Sequence, residues 1–325
     1  MTEKEPMIEL NPPTIEEVRS TAERLRGLAL HTPLIRFNPP DASPDIYLKL
    51  ENLQPVGAFK VRSMGNIFLT TGPDILQRGV YTASSGNAGY GLAWMARRMG
   101  VPATVYVPES APQGKREAIR RLGAQIRTVP YAQWWEIIRN HGIDSEEGLF
   151  VDAVCDAAAL AGNATVGLEI IEDLPDVGTI VVPFGGGGLG CGIAAAVKAL
   201  KPDTRIIGAE CETGMPLTAA LAAGHPVDVE HRPSFVSGIG ATCVLDEMWP
   251  LVQQLLDGAH VASLAAVADA VRMLFEYNRV VAEGGGATSL AAALGVESDG
   301  PVVCVISGGN IDKDHMCAIL QGRQP

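Results

Sequence analysis

The chain has 325 residues, enough for one large domain or two intimately joined ones, and 47% of them are apolar while only 5% are aromatic. Acidic residues outnumber basic ones, 37 to 25, for a formal charge of -12; with no basic run or basic-aromatic interleaving, this argues against nucleic acid or an anionic membrane as partner. No apolar stretch is long enough to span a bilayer, and the opening MTEKEPMIELNPP lacks the apolar core of a secretion signal, so the cytoplasm is the expected location.

Abundant Ala, Gly and Val suit a buried parallel sheet covered by small-residue helices. In chain order, TIEEVRSTAERLRG reads as a helix opened by a capping box, Thr14 with Glu17 three residues on. IYLKLE reads as a short strand, and the irregular NLQPVGAFK leads into a helical segment. Strand GVYTASS, helix GLAWMARRMG, strand ATVYVPE, helix GKREAIRRLGA and strand QIRTV then form a βαβαβ run. From residue 179 the pattern restarts with strand TIVVPF, helix CGIAAAVKAL, strand RIIGAE, helices LTAALAAG and AAVADAVRMLFEYN, and strand PVVCVISGG. Two α/β units are expected. The six cysteines (Cys155, Cys191, Cys211, Cys243, Cys304 and Cys317) form no CxxC pair and read as buried thiols of a reducing compartment. No HExxH spacing exists, so no zinc site is expected.

PFGGGGLGCG follows an apolar strand and precedes a helix, so its backbone donors and the helix N-terminus make an anion site suited to phosphate. Within it Gly185, Gly187 and Gly190 have GxGxxG spacing, and Glu210 ends the next strand where a dinucleotide fold places its ribose-binding acid. A nicotinamide-dependent oxidoreductase is therefore one reading and a purely structural glycine turn another. GAFKVR places Lys60 beside Phe59 in an apolar segment. Near a bound phosphate and a hydrophobic wall, such a lysine loses its proton more easily and becomes an imine-forming amine. SSGNAG, residues 84–89, is a donor-rich loop directly before a helix and suits a carboxylate.

GAFKVR, SSGN, GGGGLxxG and SGGN, in this order, resemble the pyridoxal-phosphate enzymes of fold type II, particularly the serine/threonine dehydratase and serine racemase group. The resemblance runs from HTPLIRF at 31 to ISGGN at 306. It implies an α/β fold of two open, twisted, mainly parallel sheets with flanking helices. A small mobile domain (73–157) is inserted in a large cofactor-binding domain (1–72 and 158–325). It also implies that Lys60 forms the Schiff base, Phe59 packs on the pyridine face and Asn87 bonds the phenolic oxygen. Gly185, Gly186, Gly187, Gly188 and Leu189 hold the phosphate, Glu283 lies by the cofactor and Ser307 faces the pyridine nitrogen. A hydroxyl there moderates the electron sink and favours elimination at Cβ. Ser84, Ser85, Gly86, Asn87 and Ala88 grip the substrate carboxylate, with Ser85 opposite Lys60 as a second catalytic group. The implied activity is α,β-elimination of a β-hydroxy amino acid to a 2-oxo acid and ammonia by a homodimer. A racemase, a β-replacement synthase (against which FKVR argues) and a non-catalytic cofactor carrier are the alternatives.

The chain departs from that group in four places: Ala88 stands for a His, Asp152 and Ala153 for a His-Pro pair, Gly284 for the Pro of EPAGA, and Ser237 for the acid of ADG. All four fall on the substrate side, which implies a substrate other than plain serine or threonine. The cation site of racemase-like members lacks its second acid, because Pro216 stands there beside Glu210, so no metal is expected. Trp134 and Trp135 lie in a predicted helix and serve either core packing or the wall of an enlarged pocket.

Overall fold

The computed structural model describes residues 9–40, 45–84, 86–109, 111 and 113–325. Ten strands are present among them: β1 (Leu34–Arg36), β2 (Ile46–Lys49), β3 (Val80–Ala83), β4 (Ala103–Pro108), β5 (Gln125–Val129), β6 (Leu149–Phe150), β7 (Thr179–Pro183), β8 (Arg205–Cys211), β9 (Gly258–Ala262) and β10 (Val302–Val305). They build two sheets, one of six strands in the order β1-β2-β10-β7-β8-β9 and one of four in the order β5-β4-β3-β6. Only the β1–β2 pair is antiparallel. The expected α/β architecture of two mainly parallel sheets is therefore present. The chain's last strand, β10, lies between β2 and β7, so segments far apart in sequence meet side by side. Loops leaving their carboxyl ends converge, the usual place for a ligand in an open parallel sheet.

The first helix, Ile15–Arg24, has the capping box read from the sequence: Glu17 N donates to Thr14 Oγ1, and Thr14 N donates to Glu17 Oε2. Two helices the periodicity did not show are Ala157–Asp173 and Gly284–Ala293. The first is buried without a break from Ala159 to Ile170 and the second throughout, so neither carries a polar stripe. Ala157–Asp173 packs on Gly188–Leu200 at backbone contact: a Cβ on Gly167 would stand 2.6 Å from the carbonyl oxygen of Ile193. Five of the six cysteines are buried, whereas Cys317, on the C-terminal helix Lys313–Leu320, is exposed, which corrects the uniform burial expected.

Lys60 starts the helix Lys60–Thr70, and Arg62 fixes that start. The Arg62 guanidinium donates to Glu51 Oε1 and Oε2, both at 2.8 Å, and to Glu169 Oε1 and Oε2 at 2.6 and 2.9 Å. It also donates to Thr165 Oγ1 and the Leu30 carbonyl, while Lys49 Nζ lies 2.8 Å from Glu169 Oε2. Burial pushes the Glu51 carboxyl upward, but the charge and hydrogen bonds of Arg62, the hydrogen bond from Thr32 and the Lys49 charge together outweigh it and hold the group below its usual range. The pairs are bidentate and every arm of the guanidinium is used, the condition under which a buried cation is tolerated. Arg62→Ala leaves Glu51 without its buried counter-charge, and should lower unfolding free energy by about 3–5 kcal/mol. Denaturant titration checks this, and a loss below about 1 kcal/mol would show that the network does not hold the helix.

Candidate active site

A cavity of about 180 Å³ lies at the carboxyl ends of the strands. Phe59, Lys60, Ser84, Gly86, Asn87, Ala88, Gly185, Gly186, Gly187, Gly188, Leu189, Glu283 and Ser307 all line it. Ser85 lies outside the described residues. Every other residue that the resemblance assigns to cofactor or substrate is thus brought to one place, whereas Glu210 and Gly190 of the dinucleotide reading do not line the cavity.

Lys60 Nζ donates to the carbonyl oxygen of Ala153 at 2.9 Å and sits 4.8 Å from the centre of the Phe59 ring. Burial lowers its pKa from 10.5 to about 8, against the opposing charge of Asp152. Asp152 is itself engaged: Oδ1 accepts from the amides of Val154 and Cys155 at 2.7 and 2.9 Å, and Oδ2 pairs with His141 Nδ1 at 2.7 Å. The hydrogen bond to Asp152 lifts the His141 pKa to about 9 despite burial, with Glu247 3.3 Å from Nε2 adding to the lift. His141 is therefore a cation at neutral pH. It adopts the left-handed conformation, φ 50°, which is unusual for a side-chain-bearing residue.

The glycine loop has the geometry of an anion cradle. The amides of Gly185, Gly186, Gly187, Gly188 and Leu189 find no acceptor among the described residues, and they open the helix Gly188–Leu200. Gly187 takes φ +91°, and a Cβ on Gly186 would stand 2.8 Å from Val154 Cγ1, so neither position admits a side chain without strain. Five converging free donors are chemically suited to a phosphate dianion. Ser307 is buried, lines the cavity and makes no side-chain hydrogen bond among the described residues, which leaves its hydroxyl open to a ring nitrogen. With Lys60 as an amine of lowered pKa, the donor set fits pyridoxal phosphate at the aldehyde, nitrogen and phosphate positions.

The helix after β3 starts earlier than the sequence pattern suggested. It begins at Asn87, four residues before the expected GLAWMARRMG, and runs to Met99. Gly86 N donates to Ser84 Oγ at 3.1 Å, whereas the amides of Asn87, Ala88 and Gly89 have no acceptor among the described residues. The site offered to a carboxylate is therefore the helix N-terminus itself. Asn87 Nδ2 donates one hydrogen to Glu283 Oε1, its Oδ1 accepts from Asn310 Nδ2 at 2.9 Å, and its second Nδ2 hydrogen has no acceptor among the described residues.

Sequence reasoning missed Lys115, whose Nζ donates to Glu283 Oε2 at 3.1 Å and Ser237 Oγ at 3.3 Å, tying the helix Gln113–Arg121 to the large sheet's side of the cleft. Nothing local marks this lysine among the charges of GKREAIRR. Glu210 serves neither a ribose nor a cation: Oε1 accepts from Leu217 N at 2.7 Å, and Oε2 from Thr218 N and Oγ1, which caps the helix Pro216–Ala223.

Comparison with known proteins agrees with this geometry. The model of the family described as "Pyridoxal-phosphate dependent enzyme" matches residues 25–308. An L-threonine ammonia-lyase of Thermotoga maritima is 36% identical over 94% of this chain and 78% of its own length. A serine racemase of Oryza sativa is 31% identical over 92% of this chain and 91% of its own. The structure of maize serine racemase superposes with a TM-score of 0.83 at 27% identity, covering 96% of this chain and 98% of that one.

With a pKa of about 8, Lys60 is about half neutral at pH 8, where a lysine at its ordinary value is only ~0.3% neutral. Capture of pyridoxal phosphate by the cofactor-free protein, followed by absorbance, should therefore rise between pH 7 and pH 9 with a midpoint at about 8. Asp152→Asn removes the charge that raises Lys60 and should move the rise to lower pH. A wild-type midpoint near 10.5, the ordinary lysine value, would contradict this account.

Proposed function

Because the chain belongs to the pyridoxal-phosphate dependent enzyme family, we propose that it deaminates a β-hydroxy amino acid to a 2-oxo acid and ammonia. The single observation that carries this reading is the position of Lys60, an amine of lowered pKa in a cavity that also holds a free-amide phosphate cradle and an unpartnered Ser307 hydroxyl. The similarity to a threonine ammonia-lyase over 94% of the chain supports it.

Lys60 would carry the cofactor, the amides of residues 185–189 its phosphate, Asn87 its phenolic oxygen and Ser307 its nitrogen. When bound, pyridoxal phosphate supplies an electron sink for the pair left on Cα when its proton departs. The hydroxyl of Ser307 hydrogen-bonds without transferring a full charge, which moderates that sink and leaves loss of a β-substituent favoured over transamination. The amides at the start of the helix Asn87–Met99 bind the substrate carboxylate and set the direction of the Cα–H bond. Lys60 Nζ removes the Cα proton. The Cβ–O bond then breaks and water leaves. Water adds back as ammonia departs, so substrate and products differ by no net redox change.

Residues 73–157, which contain the four-stranded sheet, act as a small domain that closes over the substrate. The Lys115–Glu283 pair joins it to the rest of the chain and excludes water when closed. The resemblance also supports a homodimer, and the absence of disulfides among the described residues suits the cytoplasm. No helix among them is long and apolar enough to cross a membrane.

Screening β-hydroxy amino acids for 2-oxo acid release, with chiral analysis of the remaining substrate, tests the reading. Turnover with loss of at least ~10³-fold in Lys60→Ala is expected, because that variant removes both the attachment point and the base. Inversion of configuration without 2-oxo acid would make the enzyme a racemase instead. Cofactor attachment with neither reaction for any amino acid would leave a carrier protein.

A further inference from the structure

Part of the cavity lining is apolar and aromatic. Its wall is the helix Tyr131–Arg139, which presents Trp134, Trp135 and Ile138, and the facing wall is built by Ala241, Cys243 and Leu245. The helix straddles the cleft. Trp134 packs into the cluster under the four-stranded sheet, whereas Trp135 and Ile138 also pack against the core of the six-stranded one. The indoles lie 6.1 Å apart at 37°, the spacing and tilt of interacting aromatic rings.

Both indole Nε1 atoms are buried and neither has a hydrogen-bond partner among the described residues, although Trp134 is only 7% exposed. Both N–H groups point into the protein and not into the cavity, so the surface these residues give the cavity is carbon. Among the described residues that line the cavity, only Lys60 and Glu283 carry a charge. Arg139 does not line the cavity: it is stacked 5.8 Å from Trp135 and paired with Asp228, and its Nη2 lies 3.3 Å from Sγ of the lining residue Cys243. The charged residues of the cavity, Lys60 and Glu283, belong to the cofactor side. Ala88, buried and small, leaves the substrate side open where a histidine would fill it.

We propose that this part of the cavity takes the β-substituent of the substrate and that the substituent is an aryl group, so the substrate is a β-hydroxy-β-aryl amino acid. This rests on the deaminase reading given above. A hydroxymethyl or hydroxyethyl side chain leaves the tryptophan wall unfilled. An anionic or cationic substituent meets no counter-charge there and loses its hydration. An aromatic ring gains tilted contacts with the indoles that line the cavity.

The test uses the cofactor-loaded enzyme with 3-phenylserine, threonine, serine and 3-hydroxyaspartate. The kcat/KM for 3-phenylserine should exceed that for threonine by about tenfold or more, with 3-hydroxyaspartate the poorest. In Trp135→Ala that ratio should fall by about tenfold, and Trp135→Phe should restore most of it. Cofactor absorbance in each variant shows that the site is assembled. As a measurement free of turnover, L-phenylalanine should perturb the cofactor absorbance at lower concentration than L-alanine, and Trp135→Ala should abolish the difference. Deamination of serine and threonine without 3-phenylserine would overturn the inference while leaving the deaminase reading intact. Cofactor attachment with no deamination of any of the four, and no preference for phenylalanine over alanine, would overturn both.

Discussion

The site depends on one buried cation. Arg62 lies two residues after Lys60 and is held by two carboxylates from distant elements, Glu51 before the helix and Glu169 on the long buried helix. Two bidentate pairs leave the guanidinium no second orientation. The first turn of Lys60–Thr70 is thereby fixed in rotation, and with it the direction in which the Lys60 side chain leaves the backbone. The interior tolerates these charges only together, because removal of one partner leaves the rest desolvated and unpaired. In this way a stability network set behind the site determines the geometry in front of it.

A second constraint joins the lysine to the phosphate cradle. The segment Asp152–Cys155 receives the Lys60 ammonium on the Ala153 carbonyl and packs Val154 against Gly186. Asp152 folds the segment by accepting two of its own amides, and His141 neutralises Asp152 from the other side. Burial lowers the lysine more than Asp152 raises it, so the amine titrates near neutrality. A site that must both attach a carbonyl compound and accept a proton from carbon works best with an amine in that range.

Much of this was legible in the chain. Strands bounded by glycine and proline, such as TIVVPF and PVVCVI, announce themselves by short apolar runs, and the capped first helix by Thr14 and Glu17. Lys60, the glycine loop, Asn87 and Ser307 each stand in a stretch open to a plainer reading, but together they match the family's motifs, and the cavity collects them. The helices Ala157–Asp173 and Gly284–Ala293 stayed hidden because burial on all sides removes the 3.6-residue period. Lys115 and His141 stayed hidden for another reason: each acts through a partner over 100 residues away or across a turn, Glu283 for the one and Glu247 for the other. Glu210 shows the reverse error. A carboxylate at a strand end suits a ribose or a cation in sequence, yet here it satisfies the free amides of the next helix.

The central claim is that Lys60, and not another amine of the cleft, holds pyridoxal phosphate. Lys115 is the natural rival, since it borders the same opening but is tied to Glu283. Borohydride reduction of the cofactor-loaded protein, proteolysis and mass analysis of the peptides distinguishes them. The account predicts one pyridoxyl-phosphate adduct, on the peptide containing Lys60. An adduct on Lys115 or Lys49, or none at all after saturation with cofactor, would contradict it.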